Sequence, residues 1–234
     1  MTVKRYRAFV YTAIQIKLLL LLLLCDFQPI RKAKLREPCT IAIDNKTGTL
    51  ADRKKQMVQL FSTWGFHITE FGQNGPKLTD PTSVAFNHAG DVLVTASDSI
   101  YCFTVRGQFA ECTNNKEIKF PFSLTVACDG RLIVCDLGDN SVKVLSPDGT
   151  ELLQFFRVPD CDESPWKAVS HQDKFFVSYP TAGCVKTFNK DGDFLYDIGD
   201  ELAGEGQLSK PRGLVDLVLI PITTWRFVTR KTKL

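Results

Sequence analysis

The sequence predicts an all-β fold built from repeated four-stranded sheets. Residues 120–156 are the clearest unit, because short apolar or alternating runs of strand length are separated there by turn dipeptides. Asp129-Gly130 and Asp148-Gly149 favour tight hairpins between antiparallel neighbours. The predicted strands are Leu124–Ala127, Arg131–Asp136, Ser141–Leu145 and Glu151–Phe156. A lone sheet of about 40 residues is too small to bury both of its faces, so it needs copies of itself.

The unit recurs along the chain with a nearly constant period. The glycine of the third hairpin turn returns at spacings of 42, 42 and 43 residues, at Gly65, Gly107, Gly149 and Gly192. A leading proline before the first strand of each unit also returns, at Pro38, Pro81, Pro121, Pro165 and Pro211. Four strands in a repeat of this length are typical of a β-propeller blade and not of a helical solenoid. We therefore predict blades at residues 38–72, 73–113, 114–156 and 157–199, and part of a fifth at 200–219.

One unit departs from this pattern in its second strand. Gly48 and Asp52 are four positions apart, whereas Gly130 and Asp136 are six apart. Because an even number of missing residues keeps each side chain on its face, the change predicts a shortened strand and not an inverted one.

The units also resemble a known family. Gly72 and the run beginning at Pro81 precede Ala89-Gly90, and Asp129-Gly130 precedes an apolar run that ends at Asp136. This order and spacing resemble NHL repeats, in the neighbourhood of the TRIM and malin proteins, over residues 38–219. NHL propellers are typically six-bladed, so the resemblance implies an incomplete ring.

Two residues of the third unit match positions that mark the family. Asp136 and Asn140 correspond to the family's aspartate and asparagine between the second and third strands. Asp52 keeps the aspartate in the first unit, whereas Tyr179 replaces it in the fourth. The resemblance therefore makes residues 120–156 the reference unit.

Residues 1–37 form a separate basic and hydrophobic segment. Residues 9–25 are almost wholly apolar, apart from Lys17, and include seven consecutive leucines at 18–24. We expect a hydrophobic helix that acts as a secretion signal or membrane anchor; the alternative is a segment with no part in the chemistry of the folded body. The family resemblance favours a cytoplasmic location. The alternative is that the protein is membrane-anchored or secreted. Residues 220–234 form a basic tail.

Charge is distributed unevenly along the chain. Of the formal net charge of +3, residues 1–37 contribute +6 and residues 220–234 contribute +4, which leaves −7 for residues 38–219. Binding to a phosphate backbone depends on Lys and Arg that neutralise phosphates, so an acidic body weakens this expectation. RNA, which some NHL propellers bind, is therefore a less favoured partner than a protein or peptide.

The loops before the first strand and between the second and third strands of each blade should share one face, here called the loop face. Trp166 is its candidate anchor, because Trp and Arg dominate interface hot spots, and a packed aromatic is the equal alternative. The loop face should be basic in the early blades and acidic in the later ones, which would suit a protein partner with complementary charges. The alternative is that these charged loops are only a solvated rim. The candidate binding residues are Arg53, Lys54, Lys55, Lys77, Lys116, Lys119, Asp139, Asn140, Trp166 and Arg212. The acidic residues are Asp160, Asp162, Glu163, Asp200, Glu201 and Glu205.

The sequence carries no recognisable catalytic or metal-binding motif. His67 is expected at the start of an outer strand, and His88 and His171 in first hairpin turns, so no imidazole cluster is expected at the channel. The eight cysteines lack zinc-finger spacing, and most are expected as free buried thiols, with Cys128 among those in strand-like runs. Disulfides would require the secreted alternative. We expect neither a cofactor nor a metal.

These features predict a non-enzymatic protein-interaction scaffold. The family resemblance implies substrate recognition in ubiquitin-dependent protein degradation, as a component of a ubiquitin ligase. The catalytic RING of those ligases has no counterpart in this sequence, so ligase activity would come only through a partner. The alternatives are an RNA-binding NHL propeller and a secreted or anchored propeller enzyme.

Overall fold

The computed structural model describes most of the predicted repeat region. Its residues are 38–43, 47–52, 56–62, 66–72, 76–113, 115–158, 162–199, 208 and 210–214. These ranges contain strands and turns and no α-helix, so they offer no helix that is long and apolar enough to cross a membrane. The predicted hydrophobic helix and the basic tail lie outside the described residues.

The described strands form four antiparallel sheets, and within each sheet the strands follow one another in chain order. The first sheet comprises β1 Pro38–Ile43, β2 Thr47–Asp52, β3 Met57–Ser62 and β4 His67–Phe71. The second comprises β5 Pro81–Phe86, β6 Val92–Ala96, β7 Ser99–Phe103 and β8 Phe109–Thr113. The third comprises β9 Pro121–Val126, β10 Leu132–Asp136, β11 Ser141–Leu145 and β12 Leu152–Phe156. The fourth comprises β13 Lys167–His171, β14 Lys174–Tyr179, β15 Cys184–Asn189 and β16 Phe194–Ile198. This all-β arrangement is consistent with a β-propeller.

The third sheet closely follows the strands predicted from its sequence. β11 has the predicted bounds, and β10 and β12 begin one residue later than predicted. β9 begins three residues earlier, at Pro121. Gly130 and Gly149 lie in the predicted hairpin turns with φ of 88° and 74°, a left-handed conformation that glycine adopts without a Cβ penalty.

The second strand of the first sheet has its full length, so the prediction of a shortened strand was wrong. β2 spans six residues, against five for its counterpart β10. Gly48 lies inside β2, paired with Ile43 and Phe61, whereas Gly130 lies in a turn. Three residues separate β1 from β2 where five separate β9 from β10. The connection between the strands is therefore the shorter part, and Gly48 was not equivalent to Gly130.

The sheets pack face to face around their first strands. β1 contacts β5, β5 contacts β9, and β9 contacts β13. Apolar side chains fill the space between successive sheets, as Val144 and Val177 do between the third and the fourth. Similar clusters lie between the first and second sheets and between the second and third. The core is thus divided into layers between sheets.

A glycine in the third hairpin turn brings each of the later sheets against the outer strand of the sheet before it. These glycines have φ between 74° and 88°. A Cβ on any of them would lie 2.8 to 2.9 Å from the last side chain of that outer strand. The pairs are Gly107 with Phe71, Gly149 with Thr113, and Gly192 with Phe156. The regular glycine spacing in the sequence therefore reflects both a turn conformation and a close approach between sheets.

The chain after the fourth sheet repeats the connection between the first two sheets. Leu78 N–H donates to Gly72 O at 3.2 Å, and Leu208 N–H donates to Gly199 O at 3.3 Å. Leu214 is buried and packs against apolar side chains of the fourth sheet. Residues 208 and 210–214 therefore repeat this connection and its packing, and a fifth unit stays a prediction from the sequence.

Candidate binding surface at the loop face

The residue after the leading proline leaves the hydrogen-bond ladder in each of the first three sheets. The strand register shifts directly after Pro38 in the first sheet and directly after Pro81 in the second. In the third sheet it shifts where Pro121 pairs with Asp136 of the neighbouring strand. Proline has no N–H to give to a ladder, and a bulge beside it redirects the next side chain. The residues at this position in successive units, here called the post-proline residues, are Cys39, Thr82, Phe122, Trp166 and Arg212.

The first two post-proline residues hydrogen-bond to the start of the next unit. Cys39 Sγ donates to Pro81 O at 3.2 Å, and Thr82 Oγ1 donates to Pro121 O at 3.0 Å. Both acceptors are carbonyl groups of leading prolines. The post-proline residues therefore join neighbouring first strands at the level of the loop face.

Trp166 continues this line through ring contacts on two sides. The Phe122 and Trp166 ring centroids lie 4.4 Å apart at an interplanar angle of 62°, and the Arg212 guanidinium lies 4.8 Å from the Trp166 ring centroid. The backbone N–H of Trp166 donates to Ser178 O at 2.8 Å, which fixes the backbone of Trp166 to the fourth sheet. Trp166 nevertheless keeps partial solvent exposure. The aromatic is thus packed, and its role as an anchor stays a prediction.

Asp136 is a buried carboxylate whose oxygens are occupied by donors of this chain. Oδ1 accepts from the N–H groups of Phe120 and Gly138, both at 2.8 Å. Oδ2 accepts from Lys119 N–H at 2.8 Å and from Lys143 Nζ at 2.7 Å. The exposed fraction of Asp136 is 0%. This aspartate therefore ties the segment before β9 to the turn between β10 and β11.

Lys143 places its ammonium between two carboxylates. Nζ lies 2.7 Å from Asp136 Oδ2 and 2.8 Å from Asp139 Oδ2, and it also donates to Glu117 O. Lys143 is only 2% exposed, so water contributes little to its charge solvation. A buried ammonium needs such partners to offset desolvation. The third sheet therefore holds its loop-face turn through a buried ionic network.

Asp139 connects this buried network with the surface. Its Oδ1 accepts from Ser141 Oγ at 2.5 Å, and its Oδ2 lies 3.6 Å from Lys119 Nζ. Burial on its own raises the pKa of Asp139, but the hydrogen bonds from Lys143 and Ser141 and the charges of both lysines outweigh it. The pKa of Asp139 therefore lies below its usual value. At neutral pH its carboxylate is charged and shared between a buried lysine and a surface lysine.

Asn140 joins the third sheet to the segment that leads to Trp166. Its φ is 55°, a left-handed conformation that Asn tolerates better than most residues. Its Oδ1 accepts from Ser164 Oγ at 2.7 Å, and its Nδ2 donates to Asp162 O at 3.2 Å. Asn140 thus helps to position the strand start that carries the indole.

The structure connects part of the predicted binding set. Contacts link Lys119, Asp139, Asn140, Trp166 and Arg212 through the chain segments just described. Lys77 and Lys116 are exposed in the segments before β5 and β9, and the contacts above do not include them. Arg53, Lys54 and Lys55 lie outside the described residues, as do Asp160, Asp200, Glu201 and Glu205. Asp162 and Glu163 are described, with Asp162 exposed and Glu163 partly exposed.

Two contributors to this surface were missed in the sequence. Lys143 lies within the apolar run of β11, seven residues after Asp136 and four after Asp139, and a lysine in such a run signals a buried charge in need of partners. Phe122 follows a leading proline, as Trp166 does, and that shared repeat position was the available signal.

The fourth sheet keeps the lysine of this network and changes its partners. Lys186 occupies the position of Lys143, and Tyr179 occupies that of Asp136. Lys186 Nζ lies 3.2 Å from Asp197 Oδ2 on the outer strand and 5.7 Å from the Tyr179 ring centroid. Where tyrosine stands at the position of Asp136, the carboxylate that pairs with the lysine therefore lies on a different strand.

The described histidines and cysteines are not grouped as metal ligands would be. His67 begins β4 and His88 lies in the turn between β5 and β6, as predicted, whereas His171 ends β13 and was wrongly placed in a turn. Within the described ranges, no three His, Cys, Asp or Glu side chains are grouped as metal ligands would be. Among the described cysteines, Cys102, Cys112, Cys128 and Cys135 carry thiols that form no disulfide. Cys128 is exposed in a turn and not in a strand, which corrects its predicted position.

Solved structures with a similar fold include an enzyme and a protein without a known function. A catalytically inactive variant of virginiamycin B lyase from Staphylococcus aureus, with quinupristin, matches with a TM-score of 0.63 and 14% identity, over 78% of this chain and 61% of that chain. A protein of unknown function from Bacteroides caccae matches with a TM-score of 0.60 and 15% identity, over 78% and 68%. Hydrazine synthase from Kuenenia stuttgartiensis matches with a TM-score of 0.58 and 16% identity, over 73% and 51%.

These similarities show the fold class and do not transfer an activity. This chain covers 61% of the lyase and 51% of the synthase, and sequence identity is 14% and 16%. Unrelated functions share propeller-like folds, so function has to be argued from the residues. No protein-family model matches the chain, and no curated protein matches it. The NHL type and the number of blades therefore stay predictions from the sequence.

Proposed function

We propose that the protein is a non-enzymatic interaction module whose loop face binds a protein or peptide. The observation that carries this proposal is the arrangement of Trp166, which is held between Phe122 and Arg212 while part of it meets solvent. An indole fixed before binding loses little side-chain freedom when a partner covers it. Trp and Arg are also the residue types that most often dominate interface energetics.

The charges around this anchor support a partner with both acidic and basic groups. Lys116 and Lys119 are exposed on one side, and Asp162 and Glu163 follow on the side that leads to Trp166. Complementary charges at the rim of an interface raise the association rate and select the orientation of the partner. The central contact would therefore be the indole, and the charged groups would direct the approach.

A role in ubiquitin-dependent protein degradation is the finer form of this proposal. Its support is the resemblance of residues 38–219 to NHL repeats of the TRIM and malin neighbourhood. In that role the loop face would recognise a substrate or a ligase component, and ligase activity would come through the partner. A cytoplasmic location would accompany this role.

The test is affinity capture with the full chain and three matched variants. Trp166→Ala removes the anchor, Lys116→Glu reverses an exposed loop-face charge, and Arg131→Glu reverses a charge in the first hairpin turn, at the other end of β10. We expect a set of bound proteins that Trp166→Ala and Lys116→Glu both reduce, that Arg131→Glu retains, and that survives nuclease treatment. A ubiquitin-ligase component in that set would support the finer role.

Two outcomes would contradict the proposal. Binding that disappears on ribonuclease treatment would point to RNA, the alternative that the exposed Lys77, Lys116 and Lys119 favour. Equal capture by all three variants would mean that the loop face is not the binding surface. Each variant is first checked for a native urea-unfolding transition, so that loss of binding is separated from loss of fold.

A further inference from the structure

The outer strand of the third sheet exposes large apolar side chains at the edge of that sheet. β12 is the last strand of the sheet, so only one of its two sides faces another described strand, β11. Leu153 is 46% exposed and Phe155 is 61% exposed, the highest value among the exposed large apolar side chains that the structure describes. An exposed apolar edge strand is a template for pairing with a further strand. This edge is therefore a candidate surface for strand addition.

Opposite charges stand symmetrically at the two ends of β12. Glu151 directly precedes the strand, Arg157 directly follows it, and both are exposed. Each lies three positions from Gln154, the central residue of the strand. If two copies of β12 pair antiparallel about this residue, Glu151 of one copy faces Arg157 of the other, and symmetry repeats the contact. Opposite charges in facing positions stabilise such a pair of strands.

The same symmetric pairing matches the exposed apolar side chains with each other. Leu153 of one copy would face Phe155 of the other, and this contact also occurs twice. Exposure alternates along the strand, since Leu152 and Gln154 are partly buried, and the register shift against β11 lies before Gln154. Gln154 Nε2 donates to Lys190 O at 3.1 Å, so the central side chain is held by the fourth sheet. Two apolar contacts would thus lie between two charged ones.

The other three outer strands are not self-complementary in this way. Pairing of β4 about its central residue would place Glu70 opposite Ile68. The same pairing of β16 would place Asp197 opposite Leu195. In β8 it would bring Glu111 against Glu111 of the second copy. A carboxylate that faces an apolar side chain or another carboxylate opposes pairing, so among the described outer strands this match is specific to β12.

We propose that the edge of β12 is a surface for self-association, at which a second copy of this chain pairs antiparallel with the two-fold axis at Gln154. The pairing joins the two third sheets into one continuous sheet. β9 and β12 stand at opposite ends of the third sheet, so the pairing leaves Phe122, which follows the leading proline of β9, uncovered. Because a single pair of edge strands buries little area, the dimer is weak and forms at micromolar concentrations.

The test measures energy transfer between donor-labelled and acceptor-labelled copies of the full chain, in a non-ionic detergent that keeps the apolar residues 9–25 in solution. Glu151→Arg and Arg157→Glu each place like charges opposite one another at both contacts of the dimer. We expect either variant alone to raise the dissociation constant at least about tenfold. A mixture of the two variants places opposite charges at both contacts again. Energy transfer between the two variants should therefore return to near the wild-type affinity.

Two controls separate pairing at β12 from other causes. Glu111→Arg reverses an exposed charge on the outer strand of the second sheet and should leave the dissociation constant unchanged. Urea unfolding of each variant should match that of the wild type, because Glu151 and Arg157 are exposed. Wild-type copies that stay monomeric at about 100 µM would overturn the proposal. So would association that neither variant weakens, as contact through residues 9–25 would give, or a mixture that associates no better than either variant alone.

Discussion

The carboxylate of Asp136 and the ammonium of Lys143 form a buried ion pair, with 2.7 Å between Oδ2 and Nζ. Three backbone N–H groups complete the surroundings of the carboxylate. Removal of one partner from such a pair leaves a buried charge without compensation, which costs far more than loss of a surface pair. The stability of the third sheet and the geometry of the loop face therefore depend on the same atoms.

The first prediction concerns this pair. Asp136→Asn should lower the free energy of unfolding by about 3 to 5 kcal/mol, because the new amide turns N–H groups toward existing donors and leaves Lys143 uncompensated. Urea unfolding followed by circular dichroism measures the change. Asp129→Asn is the matched control, since Asp129 pairs with Arg131 at 2.7 Å at the surface, and its loss should be about 1 kcal/mol or less. Equal losses would show that burial of the Asp136 pair is not important.

The second prediction is a dependence of stability on pH. The folded-state pKa of Asp139 is below its unfolded value, so its contribution is present above the unfolded pKa of about 3.9 and is lost as pH falls through the folded pKa. Urea midpoints of the wild type should therefore fall as pH drops below about 4. Asp139→Asn should be less stable at pH 7 and should show a smaller acid-induced decrease. Parallel pH profiles for the two proteins would contradict the role of Asp139.

The third prediction concerns the cation over the indole. Arg212→Ala should lower the free energy of unfolding by about 0.5 to 2 kcal/mol, because the guanidinium no longer covers Trp166. Arg212→Lys should lower the free energy of unfolding by less than Arg212→Ala does. Arg106→Ala, at an exposed turn position, should change the free energy of unfolding little. Urea unfolding gives the energies, and a change in tryptophan emission specific to the Arg212 variants would report the contact itself.

The fourth prediction compares two turn glycines with nearly the same conformation. Gly90 and Gly192 have φ of 89° and 88°, so alanine at either position carries a similar backbone penalty of about 1 kcal/mol. A Cβ at Gly90 meets nothing within 4 Å, whereas one at Gly192 lies 2.8 Å from Phe156 Cβ. Gly192→Ala should therefore cost about 1 to 3 kcal/mol more than Gly90→Ala. Thermal and urea unfolding of both variants measure the difference, and equal costs would exclude a close approach between sheets.

Local patterns predicted the strands and turns well because their signals lie in adjacent residues. Apolar alternation and Asp-Gly pairs placed the third sheet to within a few residues. Gly48 was misleading, because a glycine in a strand and a glycine in a turn look the same in one sequence. Its pairing with Phe61 resolves the difference.

The candidate site was predicted less completely because its contacts cross between units. The positions of Asp136 and Asn140 were recognised, but the partner Lys143 lies in another strand, and Ser164 lies in the next unit. Trp166 was selected by residue type. Its packing against Phe122 and Arg212 follows only once the first strands are brought side by side.

The turn glycines also have a consequence for the order in which the protein is assembled during synthesis. Gly107, Gly149 and Gly192 each fit a side chain that precedes them in the chain. When the second, third or fourth sheet leaves the ribosome, the side chain that its turn glycine contacts has therefore already been synthesised. Each of these three sheets can make that contact with the sheet before it as soon as its own turn is complete. Translation from the amino terminus and the packing of each sheet onto the one before it thus proceed in the same direction.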